Sequence, residues 1–184
     1  MTDIFEFWKS VDSKTKIHPA DEEVLSKAQH SLNLDCLPTP FYGPLKTAPI
    51  VLLYLNPGLS PKDIERADNS EEQEFYWRQR QGSEPLRSQV GLATKSWWVS
   101  RVKRIDRDPE KLREKLAVLE ICPYHSATFN DAFLIPRLPS CQVALNWARE
   151  VLFYEARLEK RVVICLRAAN AGVWRLAHVM DFFS

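Results

Sequence analysis

Three short apolar runs divide this chain and predict the strands of a β-sheet. The runs cover residues 50–55, 116–121 and 162–166, and each has the length and composition of a buried strand. Helix-forming stretches separate them, so strands and helices alternate along the chain. This alternation predicts an α/β fold of three layers, in which helices flank a central, mostly parallel sheet.

Helical stretches are predicted on both sides of these runs. They comprise residues 21–31 behind Pro19, residues 141–159, residues 169–179, and two helices within residues 71–115 that a surface excursion joins. No repeat or low-complexity tract interrupts the pattern. We therefore expect one α/β domain over residues 1–184, with its core at about residues 40–180.

The first apolar run ends abruptly in Asn56-Pro57-Gly58. Pro-Gly directly after a strand forces a tight turn, which leaves Asn56 at the carboxyl end of the strand, where α/β sheets place their ligands. Ser60-Pro61 then predicts a helix start whose free N–H groups face the same place. The Asn56 carboxamide offers one acceptor and two donor hydrogens, which can hold a water or a carbonyl group. A plain turn asparagine is the alternative.

Composition and charge narrow the class of protein. The 25 basic and 24 acidic residues leave a formal net charge of +1, without the overall basic field of a nucleic-acid binder. No apolar run approaches the roughly 18 residues of a membrane span, and no signal peptide is recognisable, so we expect a cytoplasmic monomer with no membrane contact. The four cysteines form no CxxC pair and are expected to be free thiols, with no metal and no other cofactor.

Glu120 interrupts the second apolar run. An ionisable group among apolar neighbours must be paired, protonated or directed into a cleft, and burial without a cation raises its pKa. The alternative is a glutamate on the solvated face of an edge strand.

Residues 122–126 place a thiol, a phenol, an imidazole and a hydroxyl within five positions. Cys122 and His125 could form a nucleophile pair of a small-molecule hydrolase, but the sequence indicates no acid that would orient the histidine. We favour His125 as a pocket residue that binds phosphate or a base edge; the alternative is a surface histidine.

A local basic region spans residues 78–115, with eleven basic and five acidic residues. Cations and the paired tryptophans Trp97 and Trp98 alternate there, which suits single-stranded nucleic acid because bases stack on aromatic rings. The candidate DNA-binding residues are Lys95, Arg101, Lys103 and Arg104. The alternative places the tryptophans in the core and the cations on a solvated helix face.

The segment Tyr54-Leu55-Asn56-Pro57-Gly58-Leu59-Ser60 resembles the first motif of the uracil-DNA glycosylase superfamily, G-x-N-P-G, which Leu-Ser often follows. The similarity is closest to the single-strand-selective monofunctional and mismatch-specific branches. The sequence at 120–123 is similar to the family's Asn-Leu-Cys-Pro, and that at 162–169 to V-V-G-x-G-R-x-A. Tyr54 replaces the family's glycine and Glu120 its base-reading asparagine, and no His-Pro-Ser occurs in the chain.

The resemblance implies a uracil-DNA glycosylase fold and a repair hydrolase that flips a base out of single-stranded or damaged DNA and cleaves its N-glycosidic bond. Asn56 would position the attacking water, and His125 would substitute for the absent late histidine. The residues expected to bind the substrate are Leu55, Pro57, Gly58, Tyr76, Trp77, Glu120 and Tyr124. A non-catalytic module on the same fold, binding nucleic acid, a nucleotide or a protein, is the alternative.

Overall fold

The computed structural model describes residues 2–88, 97–102 and 105–166, apart from the side chains of Trp97, Ser100 and Arg101. The helices in these residues are α1 (Ile4–Lys9), α2 (Pro19–Lys27), α3 (Pro61–Ala67), α4 (Ser70–Gln79), α5 (Trp97–Val102), α6 (Pro139–Trp147) and α7 (Phe153–Arg157). The strands are β1 (Phe41–Tyr42), β2 (Ile50–Tyr54), β3 (Leu116–Glu120) and β4 (Val162–Cys165). Short 3-10 helices cover Pro109–Leu112 and Ala132–Leu134.

The four strands form one sheet in the order β1-β3-β2-β4. β2 runs parallel to both β3 and β4, whereas β1 pairs with β3 in the antiparallel direction. The register sets Tyr54 beside Glu120 and Leu53 beside Cys165. An α/β fold with a mostly parallel sheet is therefore confirmed, and β2 lies between two neighbours, as its unbroken apolar composition requires.

Each face of the sheet buries its own apolar cluster, because successive residues of a strand point to opposite faces. The larger cluster joins Val51, Leu53, Ala117 and Leu119 to side chains of α1 and α6. The smaller cluster contains Leu52, Tyr54, Leu86, Trp98, Val102, Leu116 and Val118. Trp98 is fully buried there, as the core interpretation of this tryptophan expects.

Capping chemistry decides where two of the predicted helices begin. Ser60 and Asp63 form a capping box at α3, and Pro61 is its first residue. α2 begins at Pro19, two residues before the predicted start, because the ring Nδ1 of His18 accepts a hydrogen bond from the amide of Ala20 at 3.2 Å. It ends at residue 27 rather than residue 31.

The remaining elements show what the apolar pattern misses. Each predicted strand extends one residue past the observed one, and the helix predicted over residues 141–159 runs from Pro139 to Arg157 with a π-helical stretch, Ala148–Leu152, between α6 and α7. α1 and β1 were not predicted. The helix predicted over residues 169–179 lies outside the described residues. No helix within the described ranges is long and apolar enough to cross a bilayer.

Candidate functional site

The loops that follow β2 and β3 stay joined beyond the strands. The amide of Cys122 donates to the carbonyl oxygen of Leu55 at 2.8 Å, and the amide of Ser126 donates to that of Pro57 at 3.2 Å. Gly58 and Ser126 also form an isolated parallel bridge. This continued pairing holds the bent segment 56–58, the predicted turn, against the loop at 123–126, at the sheet edge where parallel strands end.

The carboxamide of Asn56 is fixed at this junction. Its Nδ2 atom, which carries two hydrogens, has three acceptors within hydrogen-bond distance: the carbonyl oxygens of Pro57 at 2.9 Å and Tyr124 at 3.1 Å, and Ser126 Oγ at 2.9 Å. A flipped amide would set Oδ1 against two carbonyl oxygens, so the contacts determine the orientation. Among the described residues, no side chain or amide donates to Oδ1 of this half-buried residue.

His125 ties three segments together. Its Nδ1 lies 2.7 Å from the carbonyl oxygen of Gly58, so Nδ1 carries the proton and donates. Its Nε2 lies 3.3 Å from Thr39 Oγ1, and its backbone carbonyl accepts from the amide of Asn33 at 2.8 Å. Burial lowers the pKa of the imidazole, which favours the neutral ring in which Nε2 accepts from the Thr39 hydroxyl. Both ring nitrogens thus have protein partners.

The hydroxyl group of Tyr124 is also hydrogen-bonded within the protein. Its hydroxyl donates to Asp21 Oδ2 at 2.6 Å and accepts from the amide of His18 at 3.2 Å. The other oxygen of Asp21 accepts from the amide of Ser140 at 3.0 Å, at the start of α6. The ring is buried, and burial together with the nearby carboxylate raises the pKa of Tyr124. The side chain therefore anchors the loop, and its backbone carbonyl is the part that contacts Asn56.

Glu120 is buried at the end of β3, on the same sheet face as Leu116 and Val118. Tyr54 lies directly beside it on β2, also buried. Burial alone raises the pKa of Glu120 well above its ordinary range, because no described cation offsets the loss of water. The solvated-face interpretation is therefore wrong, because the side chain is buried.

The aromatic candidates of α4 lie near this face of the sheet. The ring of Phe75 meets those of Tyr42 at 5.8 Å and Tyr76 at 6.1 Å, both edge to face. Tyr42 packs against the cluster that contains Tyr54. Tyr76 and Trp77 are both half-buried. Burial raises the pKa of the Tyr76 hydroxyl. The structure thus brings Tyr76 towards the Glu120 face through two intervening rings.

Several cations of the basic region are already paired inside the fold. Arg87 makes a bidentate contact with Glu72, at 2.7 and 2.9 Å, and its guanidinium lies 4.0 Å from the ring centre of Phe75. Arg80 is buried and donates to two backbone carbonyl oxygens. Exposed cations of the region without a described ion pair are Arg107, Lys111 and Lys115. Lys95, Lys103, Arg104 and the Arg101 side chain lie outside the described part.

The four cysteines are free thiols. Cys122 is fully buried and shares a hydrogen bond with the thiol of Cys141, whose pKa burial raises. His125 directs both ring nitrogens to other partners, so no contact of the described residues activates Cys122 as a nucleophile.

Three side chains with a part in this site were not singled out as site residues from the sequence. Ser126 follows the predicted His125, and its hydroxyl, next to a strand end, is the one signal that could have identified it. Thr39 and Asp21 reach the loop from distant segments, 86 and 103 residues away, and no local pattern marks them.

The polar groups at the ends of β2 and β3 are Asn56 Oδ1, the buried carboxyl group of Glu120 and the exposed backbone at Gly58. In the described ranges, no three His, Cys, Asp or Glu side chains group closely enough to hold a metal ion. No family model, curated protein or solved structure matches this chain.

Proposed function

We propose that this protein recognises a flipped or unpaired base in DNA and hydrolyses its N-glycosidic bond with a water molecule held by Asn56. The observation that carries the proposal is the orientation of the Asn56 carboxamide. Three contacts engage Nδ2 and leave Oδ1 as the acceptor for a water hydrogen. The motif resemblance around residues 54–60 supports the same role for Asn56.

The reaction needs few protein groups. The water oxygen forms a bond to the sugar C1′, the bond between C1′ and the base nitrogen breaks, and the electron pair leaves with the base. Asn56 orients the water but is too weak a base to take its proton, which passes to solvent or to the departing base. Glu120 and Tyr76 would contact the flipped base, whose extrusion is cheapest in single strands and mismatches.

A non-catalytic binding module is the second candidate, and the surroundings of His125 favour it. Both ring nitrogens are engaged within the protein and burial lowers the pKa of the ring, so His125 is not placed to donate a proton to a leaving base. In this second function the same strand ends would hold an unpaired base without cleaving it.

Alkali-labile abasic sites distinguish the two candidates. Oligonucleotides with uracil, hypoxanthine, xanthine or a G·T mismatch would be tested in single-stranded and duplex forms. We expect cleavage of at least one, abolished by Asn56→Ala and retained by Asn130→Ala, an exposed asparagine on the loop after β3. DNA affinity should stay within a few-fold in Asn56→Ala; equal loss of affinity and cleavage would contradict the role of Asn56.

No cleavage by the folded wild-type protein would overturn hydrolysis. Base-dependent binding of the same oligonucleotides would then support the binding module. Salt dependence adds a check on DNA contact, because log affinity falls linearly with log salt when cations neutralise phosphates. Neutralising Arg101 with Arg104 should flatten that slope; an unchanged slope would return both to the solvated-face interpretation.

A further inference from the structure

An open groove, which we call the α2 groove, lies between α2 and the segments on either side of it. Its volume is about 590 Å³. Its floor is apolar and consists of Ile17, Pro19, Leu25 and Leu34. Leu25 is buried, whereas Ile17 and Leu34 are half-buried and pack against the larger apolar cluster of the sheet. The floor is therefore an outer surface of the core that is left open to solvent.

Carboxylates dominate the rim of the α2 groove. Glu22 and Glu23 line it, and Asp35 directly follows a floor residue in sequence. The two cations that adjoin lining residues in sequence are already paired, Lys27 with Glu23 at 2.6 Å and Lys16 with the residue that ends α3 at 3.0 Å. Glu22 and Asp35 are exposed, and neither has an ion pair among the described residues. The rim is therefore acidic.

Hydrogen bonds hold both sides of the α2 groove in place. The carboxylate of Asp21, on the inner face of α2, accepts from the Tyr124 hydroxyl at 2.6 Å and from the amide of Ser140 at 3.0 Å. In the segment after α2, the amide of Asn33 donates to the carbonyl oxygen of His125 at 2.8 Å. A site that is fixed in advance loses little conformational entropy on binding. The groove can therefore hold a ligand without rearrangement.

The charge and shape of the α2 groove favour one class of ligand. The phosphates of a nucleic acid or of an anionic membrane would be repelled by the unpaired carboxylates of the rim. Small molecules bind in enclosed pockets that cover most of their surface, whereas this groove is open. A polypeptide can lay a large apolar side chain on the floor and place lysine or arginine against the rim.

We propose that the α2 groove is a docking site for a partner protein that inserts a large apolar side chain flanked by lysine or arginine. Burial of that side chain on the apolar floor supplies affinity. Glu22 and Asp35 select the partner, because complementary charges at a rim steer association and exclude acidic proteins. This inference is independent of the proposed function, which depends on Asn56.

Selection from random dodecapeptides displayed on phage tests the proposal with the full chain as bait. Peptides that also bind Ser26→Trp are removed, because this variant adds an indole ring at an exposed position that lines the groove. Ser70→Trp, on an exposed serine of α4, is the control and should bind the peptides that remain. We expect these peptides to share a large apolar residue with lysine or arginine close by. Failure to enrich any peptide, or enrichment of acidic ones, would overturn the proposal.

A charge exchange tests the rim, after thermal melting has shown each variant to be folded. In anisotropy titrations, Glu22→Lys should bind the strongest selected peptide at least about fivefold more weakly than wild type. It should bind more tightly than wild type a copy of that peptide with glutamate at each lysine and arginine. Glu71→Lys is the matched control, because Glu71 is also exposed and in the first turn of its helix. If Glu22→Lys binds both peptides as wild type does, the rim does not select and the proposal is wrong.

Sedimentation of wild type distinguishes a partner protein from a second copy of this chain. We expect wild type to remain monomeric at micromolar concentrations, because a second copy is not required to cover the groove. A dimer that Ser26→Trp and Glu22→Lys both dissociate would show that another copy of the chain occupies the groove. That result would overturn the assignment of the groove to a different protein.

Discussion

The imidazole of His125 donates a 2.7 Å hydrogen bond from Nδ1 to the carbonyl oxygen of Gly58, across 67 residues of sequence. This bond ties the loop after β3 to the turn after β2, which carries Asn56. The ring also meets Thr39 from the connector that precedes β2. His125 is therefore held where it can fix the geometry of the turn, and its charge state affects the stability of the whole junction.

Acid should weaken this junction. Burial lowers the pKa of His125 below its ordinary value of 6.5, so the unfolded chain binds more protons than the folded one below that pH. The contribution of His125 to stability is complete above about pH 6.5 and declines as the pH falls, by up to about 1.4 kcal/mol per pH unit. His125→Asn keeps a donor near the Nδ1 position and cannot ionise. Urea unfolding at pH 7.5 and 5.5 should show a smaller acid loss in this variant.

His18 should also contribute to the loss of stability in acid, in wild type and in His125→Asn alike. Burial lowers its pKa too, and its Nδ1 must stay unprotonated to accept from the amide of Ala20. His125→Asn should therefore retain a residual acid loss. Equal losses of unfolding free energy in wild type and variant would show that His125 titrates as it does in the unfolded chain.

Local chemistry made part of this site predictable. The apolar runs and the helix start at Ser60 depend on residues close in sequence, and both occur in the structure. Where a tight Pro-Gly turn was predicted, the chain bends at Leu55 and Asn56, and Gly58 pairs with Ser126 in a parallel bridge. β1 is only two residues long, and its pairing with β3 spans more than 70 positions. No periodic pattern in the sequence therefore predicts this strand. The ion pair between Arg87 and Glu72 could not be predicted either. A count of charges along the sequence does not show which cations are already paired within the fold.

The glycine of the turn should matter for activity and not for folding. A Cβ on Gly58 would meet no atom within 4 Å, so Gly58→Ala should leave stability within about 0.5 kcal/mol of wild type. The added methyl group would occupy the space in which a ligand approaches Asn56, and small displacements of reacting groups cost rate steeply. Abasic-site formation should fall about tenfold.

Gly43→Ala is the matched control for that experiment. Gly43 has a φ of +86°, and a Cβ there would lie 2.6 Å from the carbonyl oxygen of Leu116. This variant should lose at least about 1 kcal/mol of unfolding free energy. Normal activity in Gly58→Ala would indicate that ligands do not approach the turn.

Removing the Tyr124 hydroxyl should destabilise the protein without impairing the site. Tyr124→Phe deprives Asp21 of a buried donor and the amide of His18 of its acceptor, at a cost of about 1.5–3 kcal/mol. The backbone carbonyl that contacts Asn56 remains. Urea unfolding should show the loss, and Tyr154→Phe, on an exposed tyrosine, should not. A fall in the activity of fully folded Tyr124→Phe would instead indicate that the hydroxyl contacts substrate.

Glu120→Gln should stabilise the protein at neutral pH. The folded-state pKa of Glu120 is raised above its ordinary value of 4.5, so the unfolded chain releases a proton that the folded chain retains. Folding with this group is least costly below about pH 4.5, and stability declines as the pH rises towards the folded-state pKa, again by up to about 1.4 kcal/mol per pH unit. Glutamine has the shape of the neutral acid and no proton to lose.

The difference between Glu120→Gln and wild type should therefore grow with pH. Urea unfolding at pH 4.5, 6 and 7.5 would measure it, with the exposed Glu114→Gln expected to follow wild type within about 0.5 kcal/mol throughout. This slope has the opposite sign to that of His125, because one group is held protonated by burial and the other deprotonated. A constant difference across the three pH values would mean that a cation or water reaches Glu120 and keeps it ionised.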